Sequence, residues 1–310
     1  MKILVTGGAG FIASHIVDKY IELGHDVVVV DNLSSGFKHN VNPKAKFYEI
    51  DIRSKELEQI FKDEKPEIVN HHAAQISVPV SVKEPEFDAE VNAVGFLNIL
   101  QNCVKYKVKK VIFISSGGAV YGEAEEYPTT ESYDPKPLSP YAIHKYVSEK
   151  YLYFYNHQYG LKYTVLRYAN VFGPRQIPHG EAGVVSIFIT NFRDNKKTYF
   201  YAFDEEPDGM IRDYVFVRDI VNANVLALDR GELDAFNIGT GIETTTGQLY
   251  REIALQMNTQ IEPVREGARP GDIRRSCLNI EKAKSEFGWE PKFSLPVGVK
   301  ETIDFFMKKK

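Results

Sequence analysis

Cysteine is scarce in this chain: Cys103 and Cys277 are the only two among 310 residues. That is too few for a disulfide framework and fits a reducing compartment. A basic excess is also missing. The formal net charge is −4, which argues against a nucleic-acid partner and requires any bound phosphate to be met by local donors. No run approaches the roughly 18 apolar residues of a membrane span. The apolar opening, Ile3-Leu4-Val5, breaks at Thr6-Gly7-Gly8, too short for the apolar region of a secretory leader. There is no internal repeat, and the closing Lys308-Lys309-Lys310 reads as a solvated tail. What remains is 43% hydrophobic and 26% charged, near the globular average and enough for a sizeable core in one or two domains. A cytoplasmic protein, neither membrane-bound nor nucleic-acid-binding, is expected.

The first half alternates short apolar runs with amphipathic stretches. Strands are expected at Lys2–Thr6, Asp26–Asp31, Lys46–Glu49, Ile68–His71, Val111–Ser115 and Tyr163–Arg167. Helices are expected at Ile12–Leu23, Ser54–Lys62, Glu86–Lys105 and Pro140–Tyr159. Several strands are β-branched and apolar throughout, the pattern of a doubly wound α/β protein whose parallel sheet is covered on both faces. After Asn170 the elements shorten. Val215–Leu228 and Ala235–Ile238 again have the strand-and-helix pattern of the first half. The expected division is therefore a larger domain of residues 1–170, rejoined by about 213–238, and a smaller α/β cap of 171–212 and 239–310. Ligands of such sheets bind at the carboxyl ends of the strands.

Directly after the first strand stands Thr6-Gly7-Gly8-Ala9-Gly10-Phe11-Ile12-Ala13, opening a helix. Glycines there allow a tight turn and close backbone approach, so that a pyrophosphate can sit on the helix N-terminus. The second strand ends at Asp31, 21 residues beyond Gly10, where a carboxylate can accept from a ribose 2′-hydroxyl. The same charge repels a 2′-phosphate, which favours NAD over NADP. Asp51-Ile52 closes the third strand, placed for an adenine edge.

Tyr141 and Lys145 lie four residues apart on a helix opened by Ser139-Pro140, so both side chains share one face. A free phenol titrates near pH ~10; an adjacent ammonium and a nicotinamide cation would favour the phenolate. Reaching neutrality takes about 3 units, or roughly 4 kcal/mol. The spacing recurs at Tyr106/Lys110 and Tyr146/Lys150. Only Tyr141 follows a strand ending in Ser115-Ser116-Gly117-Gly118.

Together the glycine turn, Asp31, His71-His72-Ala73-Ala74, Asn92, Ser115-Ser116, Tyr121-Gly122, Tyr141–Lys145 and Arg167-Tyr168-Ala169-Asn170 resemble the extended short-chain dehydrogenase/reductases, proteins with a Rossmann sheet. Within them the chain is similar to the UDP-hexose 4-epimerases of the short bacterial and archaeal type, as far as Arg212-Asp213-Tyr214 and Arg269-Pro270-Gly271-Asp272. The resemblance implies that Tyr141 takes the proton of the sugar's 4-hydroxyl while hydride passes from C4 to NAD. The 4-keto sugar then turns over and hydride returns to its other face. Lys145 holds the ribose and lowers the tyrosine pKa. The resemblance also implies cofactor contacts from Gly7, Gly10, Phe11, Ile12, Asp31, Asn32, Asp51, Ile52, Ala73, Ala74, Asn92, Ser115 and Tyr168. For the UDP-sugar it implies Asn170, Val184, Tyr199, Arg212, Arg269, Asp272 and Ser276, the two arginines neutralising the diphosphate. A homodimer is expected, because Tyr146, Tyr151, Tyr153, Phe154 and Tyr155 point in too many directions for one core face.

Four positions depart from the pattern. Gly117 stands where many members carry a Ser or Thr that shares a proton with the tyrosine; Ser116 or a water takes that role, or Tyr141 acts alone. Ala13 replaces the third glycine of the turn, a tolerated change. Tyr201-Ala202-Phe203-Asp204 replaces Phe-Gly-Asp-Gly, which puts uracil contacts near Tyr199–Phe203 in question. Ser276 stands where some epimerases have a bulky residue beside the sugar's 2-substituent, leaving room for an N-acetyl group. Sugar dehydratases and decarboxylases of this group place acidic residues just before the Tyr-Gly; Gly118 and Ala119 count against both. A UDP-glucuronate 4-epimerase and a non-catalytic NAD-binding regulator remain as alternatives. No metal site is expected, since His71 and His72 are strand neighbours on opposite faces, and His144 is expected to be solvated.

Overall fold

The computed structural model describes residues 1–178, 183–268 and 272–308. Its first strands are β1 (Lys2–Thr6), β2 (Asp26–Asp31), β3 (Lys46–Glu49), β4 (Ile68–His71), β5 (Lys110–Ser116) and β6 (Lys162–Tyr168). They are followed by β7 (Asn170–Phe172), β8 (Tyr199–Ala202), β9 (Ile211–Arg212), β10 (Tyr214–Phe216), β11 (Asp234–Ile238), β12 (Thr244–Thr245) and β13 (Val264–Gly267). Seven of them form one parallel sheet in the order β11-β6-β5-β4-β1-β2-β3. The chain runs outward from β1 to β3, then returns to β4 and proceeds the other way. The crevice between β1 and β4 is thus the switch point of a Rossmann doubly wound sheet.

The strands expected from β-branched runs occupy their places, and their burial shows why. Val28, Val29 and Val30 are fully buried because both sheet faces are covered. On one face Ile3, Val5, Val29, Ile112 and Leu166 meet helices Phe11–Glu22 and Val217–Ala227. On the other, Leu4, Val28, Val69, Phe113 and Val165 meet helices Leu57–Glu64, Gly95–Lys105 and Pro140–Tyr159. A third core of Phe172, Phe188, Phe216, Tyr250 and Ile303 joins helices Val184–Arg193, Thr246–Gln256 and Leu295–Lys308. Phe11 packs against it, bringing this third core to the start of the first helix.

Two elements differ from expectation. The run from Pro85 to Lys105 is helical throughout but contains a π-bulge at Glu90–Val94, which carries Asn92 and shifts the register of the face that follows. Val215 belongs to β10, which pairs with β7 in a separate two-stranded sheet. Val215 itself and the following helix, through Ile220, Val221, Ala223 and Ala227, nevertheless pack back on the core of the main sheet. Among the described residues no helix is long and apolar enough to cross a membrane.

Candidate active site

At the end of β1 the chain turns through Gly7 at φ +70°, where a Cβ would lie 2.7 Å from the Ala73 nitrogen. Only glycine fits this approach of β1's turn to the loop after β4. Gly10 caps the first helix with no side-chain cap and no acidic residue in the first turn. The first N–H groups, those of Phe11 and Ile12 among them, lack intrahelical acceptors and suit an anion. Ala13 is buried in the core without disturbing the turn.

Asp31 is buried and accepts from the Ala9 amide at 2.9 Å and the Leu33 amide at 2.8 Å. Burial raises its pKa, and the two amides oppose the rise. It therefore braces the glycine turn from the end of β2. Asn32 donates to Asp51 at 2.9 Å, and Arg53 grips Asp51 with Nε and Nη2, both at 2.9 Å. The guanidinium holds the Asp51 carboxyl down at about 2. Ile52 is buried against Gly95, where a Cβ would lie 2.8 Å from its Cδ1.

Thr6 Oγ accepts from the Ala73 amide at 3.2 Å and bonds His71 Nδ1 at 2.8 Å. His71 stacks on Phe96 and Phe113, whereas His72 turns to the opposite face beside Tyr168. No metal cluster forms among the described residues. His72 Nδ1 is buried without a partner among them, an orphaned polar atom beside the switch-point crevice. Three expected cofactor contacts have side chains committed elsewhere. The Tyr168 hydroxyl accepts from Asn224 at 2.6 Å inside the core, Ser115 donates to Glu149 at 2.6 Å, and Asn92 holds the backbone of Gln75. The uncapped helix, the phosphate-excluding Asp31 and the close-packed glycine turn fit NAD.

Helix Pro140–Tyr159 begins where Ser139 accepts from the Ala142 amide at 3.2 Å and ends at Gly160, φ +69°. It places Tyr141 near Ser116, whose hydroxyl favours the phenolate. Burial pushes the Tyr141 hydroxyl up to about 12, and Ser116 opposes that rise. Lys145, 5% exposed, donates to the Ile114 carbonyl at 2.9 Å with its ammonium 5.8 Å from the Tyr141 ring centre. Burial lowers it to about 8, against the raising fields of Asp88 and Glu149. The rival spacings do other work. Tyr106 bonds Glu58, Lys110 donates to the Arg230 carbonyl, and Lys150 lies over the Tyr146 ring. At Gly117 a Cβ would sit 2.6 Å from Leu278 Cδ1, so Leu278 fills the space of a side chain there.

His144 is not solvated. Its side chain is 18% exposed and its Nδ1 lies 2.6 Å from Oδ2 of the fully buried Asp88. Glu149 also escaped notice: it accepts from Ser115 and from Arg167 Nε at 3.0 Å and Nη2 at 2.5 Å. Arg167 continues to the Tyr121 hydroxyl at 2.8 Å, and Tyr121 to Asn237 at 2.7 Å. Glu149 follows Lys145 by four residues, so it shares the catalytic face, and a carboxylate there is the signal that could have found it.

Asn170, Gly118 and Ser276 converge: a Cβ on Gly118 would lie 3.5 Å from Asn170 Oδ1 and 3.9 Å from Ser276 Oγ. Arg212 is half-buried, with Nη1 donating to the Ile211 carbonyl at 2.8 Å and no carboxylate partner among the described residues. Burial holds its pKa below the usual value, opposed by Tyr214 and Asp272. A desolvated guanidinium so placed favours a diphosphate. Asp213, beside it, binds Thr240, Gly241 and Leu278 and braces the loop after β11. Val184 starts its helix behind Gly183, and Tyr199 is 46% exposed at the head of β8. Arg269 lies outside the described residues.

Such a sheet, with a Tyr-x-x-x-Lys pair at the carboxyl end of β5, defines a dinucleotide-dependent enzyme acting on a hydroxyl or carbonyl. The profile described as "NAD dependent epimerase/dehydratase family" matches residues 3–239. The chain belongs to that family, and NAD is its cofactor. It is similar to a UDP-glucose 4-epimerase of Thermotoga maritima solved with UDP-glucose, at 52% identity, TM-score 0.96 and 99% coverage of both chains. The UDP-glucose 4-epimerase of Thermus thermophilus, solved with NAD, is 43% identical at TM-score 0.95, with 100% of each chain covered. A UDP-N-acetylglucosamine 4-epimerase of Methanobrevibacter ruminantium, in complex with UDP-N-acetylmuramic acid, is 35% identical at TM-score 0.93, covering 100% of this chain and 99% of that one.

The buried ammonium makes a prediction about stability. Folded Lys145 releases its proton near 8 and the unfolded side chain near 10.5. Between these values the unfolded chain binds more protons, so its contribution to stability rises with pH; below about 8 that contribution is lost. Cofactor-free Lys145→Met should therefore be more stable than the wild type at pH 7, by an advantage that shrinks through this window. Denaturant titrations at several pH values measure the gap, and a constant gap would contradict the burial argument.

Proposed function

We propose that the protein interconverts UDP-hexoses at C4, taking both the UDP-glucose/UDP-galactose and the UDP-N-acetylglucosamine/UDP-N-acetylgalactosamine pairs. The observation that carries this reading is Tyr141 beside the buried Lys145, whose ammonium lies 5.8 Å from the ring centre, with Gly118 and Ala119 where elimination chemistry needs an acid and a base. Bound NAD supplies a hydride acceptor and donor that is regenerated each cycle. Tyr141 accepts the 4-hydroxyl proton, and Ser116 shares it in place of the side chain that Leu278 excludes at 117. The positive charge of Lys145 favours the phenolate that this step needs. Arg212 and, by the family pattern, Arg269 neutralise the diphosphate, while Asn170, Val184, Tyr199 and Asp272 line the nucleotide path. In this reading the cap of 171–212 and 239–310 covers a sugar seated on the domain of 1–170 and 213–238.

The wider substrate range rests on the corner made by Ser276 and Gly118. Neither carries bulk, and a Cβ on Gly118 would meet only ordinary contacts there. We also infer a homodimer through the catalytic helix and its neighbour Pro85–Lys105, which expose Phe87 (40%), Val94 (57%), Tyr153 (66%) and Phe154 (48%). The cytoplasm suits Cys103 and Cys277, both free thiols and buried.

Purified protein given each UDP-sugar, without added cofactor, should convert both pairs when anomeric protons are followed by NMR. Tyr141→Phe should lose turnover by at least a hundredfold and keep its NAD. Failure of the wild type on every UDP-hexose, with NAD supplied, would overturn the reading. Ser276→Tyr should cut turnover of the N-acetylated sugars at least fiftyfold and leave UDP-glucose within about threefold; equal loss on both would discard the pocket argument. Replacing Tyr153 and Phe154 together by Glu should convert two-copy particles to single chains in sedimentation, and an unchanged profile would remove the helix from the interface.

A further inference from the structure

Asp88 is a fully buried carboxylate outside the reacting set. Its Oδ1 accepts from Gln75 Nε2 at 2.6 Å and Asn92 Nδ2 at 3.0 Å; its Oδ2 faces His144 Nδ1 at 2.6 Å. An ionised carboxylate only accepts, so Nδ1 carries the proton. Asn92, in the π-bulge, clasps Gln75 from both sides: its Oδ1 accepts from the Gln75 amide at 3.0 Å and its Nδ2 donates to the Gln75 carbonyl at 2.9 Å. Gln75 in turn secures Ser77 through its carbonyl and amide. Ser148 donates back to the Asn92 carbonyl at 3.3 Å. His144 and Ser148 flank Lys145 on the catalytic helix, and Gln75 follows Ala73 and Ala74 in the loop after β4.

We propose that Asp88 is a positioning residue which, through His144 on one side and Gln75 and Asn92 on the other, locks the catalytic helix to the loop after β4 and thereby sets where Lys145 stands in the cofactor site. The proposal rests on the reading of Tyr141 and Lys145 as an NAD-dependent pair. The reasoning is geometric. Among the described residues Lys145 itself bonds only the Ile114 carbonyl, and its helix meets the loop through this knot. Burying a carboxylate without a permanent cation costs folding free energy, which a site lacking a positional role would avoid with an apolar residue. Asp88 and Asn92, four residues apart, share one helix face and so reach the same loop, Asn92 from within the bulge at Glu90–Val94.

The test uses His144, which sits at the partly exposed end of the knot, where alanine suits a helix. His144→Ala should unfold within a few degrees of the wild type, lose bound NAD on gel filtration, and show kcat for UDP-glucose down about tenfold with KM within twofold. His144→Asn, whose amide stands where Nδ1 does, should restore both NAD retention and kcat to within about threefold. Asp88→Asn, which keeps the shape and weakens all three bonds, should reproduce the loss of NAD. Wild-type NAD retention and kcat in His144→Ala would overturn the proposal, as would an Asn variant no better than Ala. Should the wild type convert no UDP-hexose, the assigned activity fails, while NAD retention in the variants still reads the knot.

Discussion

The structure depends on one awkward charge. In the proposed mechanism Lys145 must be an ammonium to favour a phenolate, yet it lies buried, 5.2 Å from the Phe113 ring centre and bonded among the described residues to a single carbonyl. Pairing it directly with a carboxylate would secure the charge and spend the field that Tyr141 needs. Two buried carboxylates stand off from it instead, Asp88 towards the loop after β4 and Glu149 towards β5 and β6, each raising its pKa against burial. Neither makes an ion pair with Lys145. Each is saturated by other donors, so its charge acts through space. The polar networks around the helix follow from that arrangement: Arg167, Ser115 and Tyr121 satisfy Glu149, while Gln75, Asn92 and His144 satisfy Asp88.

The sheet was legible because strands covered on both faces must be apolar throughout, and Val27–Val30 or Val111–Ile114 admit no other reading. The Tyr141/Lys145 pair was legible because four residues is one helical turn and Ser139-Pro140 announces a helix start. What could not be read is whatever pairs across the sequence. His144 looked solvated because its partner stands 56 residues before it. The bond from the Ser115 hydroxyl to Glu149 spans 34 residues and leaves no local mark. The bulge at Glu90–Val94 breaks the 3.6-residue period by one residue, and no residue type marks it. The hydroxyl missing at Gly117 had three explanations in the sequence. The packing of Leu278, which follows Ser276 by two residues and reaches back under Gly117, explains why no side chain stands there, and the proposed mechanism gives the role to Ser116.

The catalytic helix also reverses the usual arrangement of an amphipathic element. Its buried residues are Ala142, Lys145, Ser148, Glu149, Leu152 and Tyr155, three of them ionisable or hydroxylic in the first ten positions. Its outer side carries Ile143, Tyr153, Phe154 and Tyr159, all exposed. Chemistry has taken the inward face over most of the helix, so that face supplies little of the apolar burial that normally holds a helix to its sheet. Polar bonds from Asp88, Asn92 and Ser115 do part of that work. The apolar surface displaced to the outside is then a consequence of where Tyr141 and Lys145 must stand. A helix with these obligations is stabilised by covering its outer face, which links the proposed association of two copies to the requirements of the catalytic pair itself.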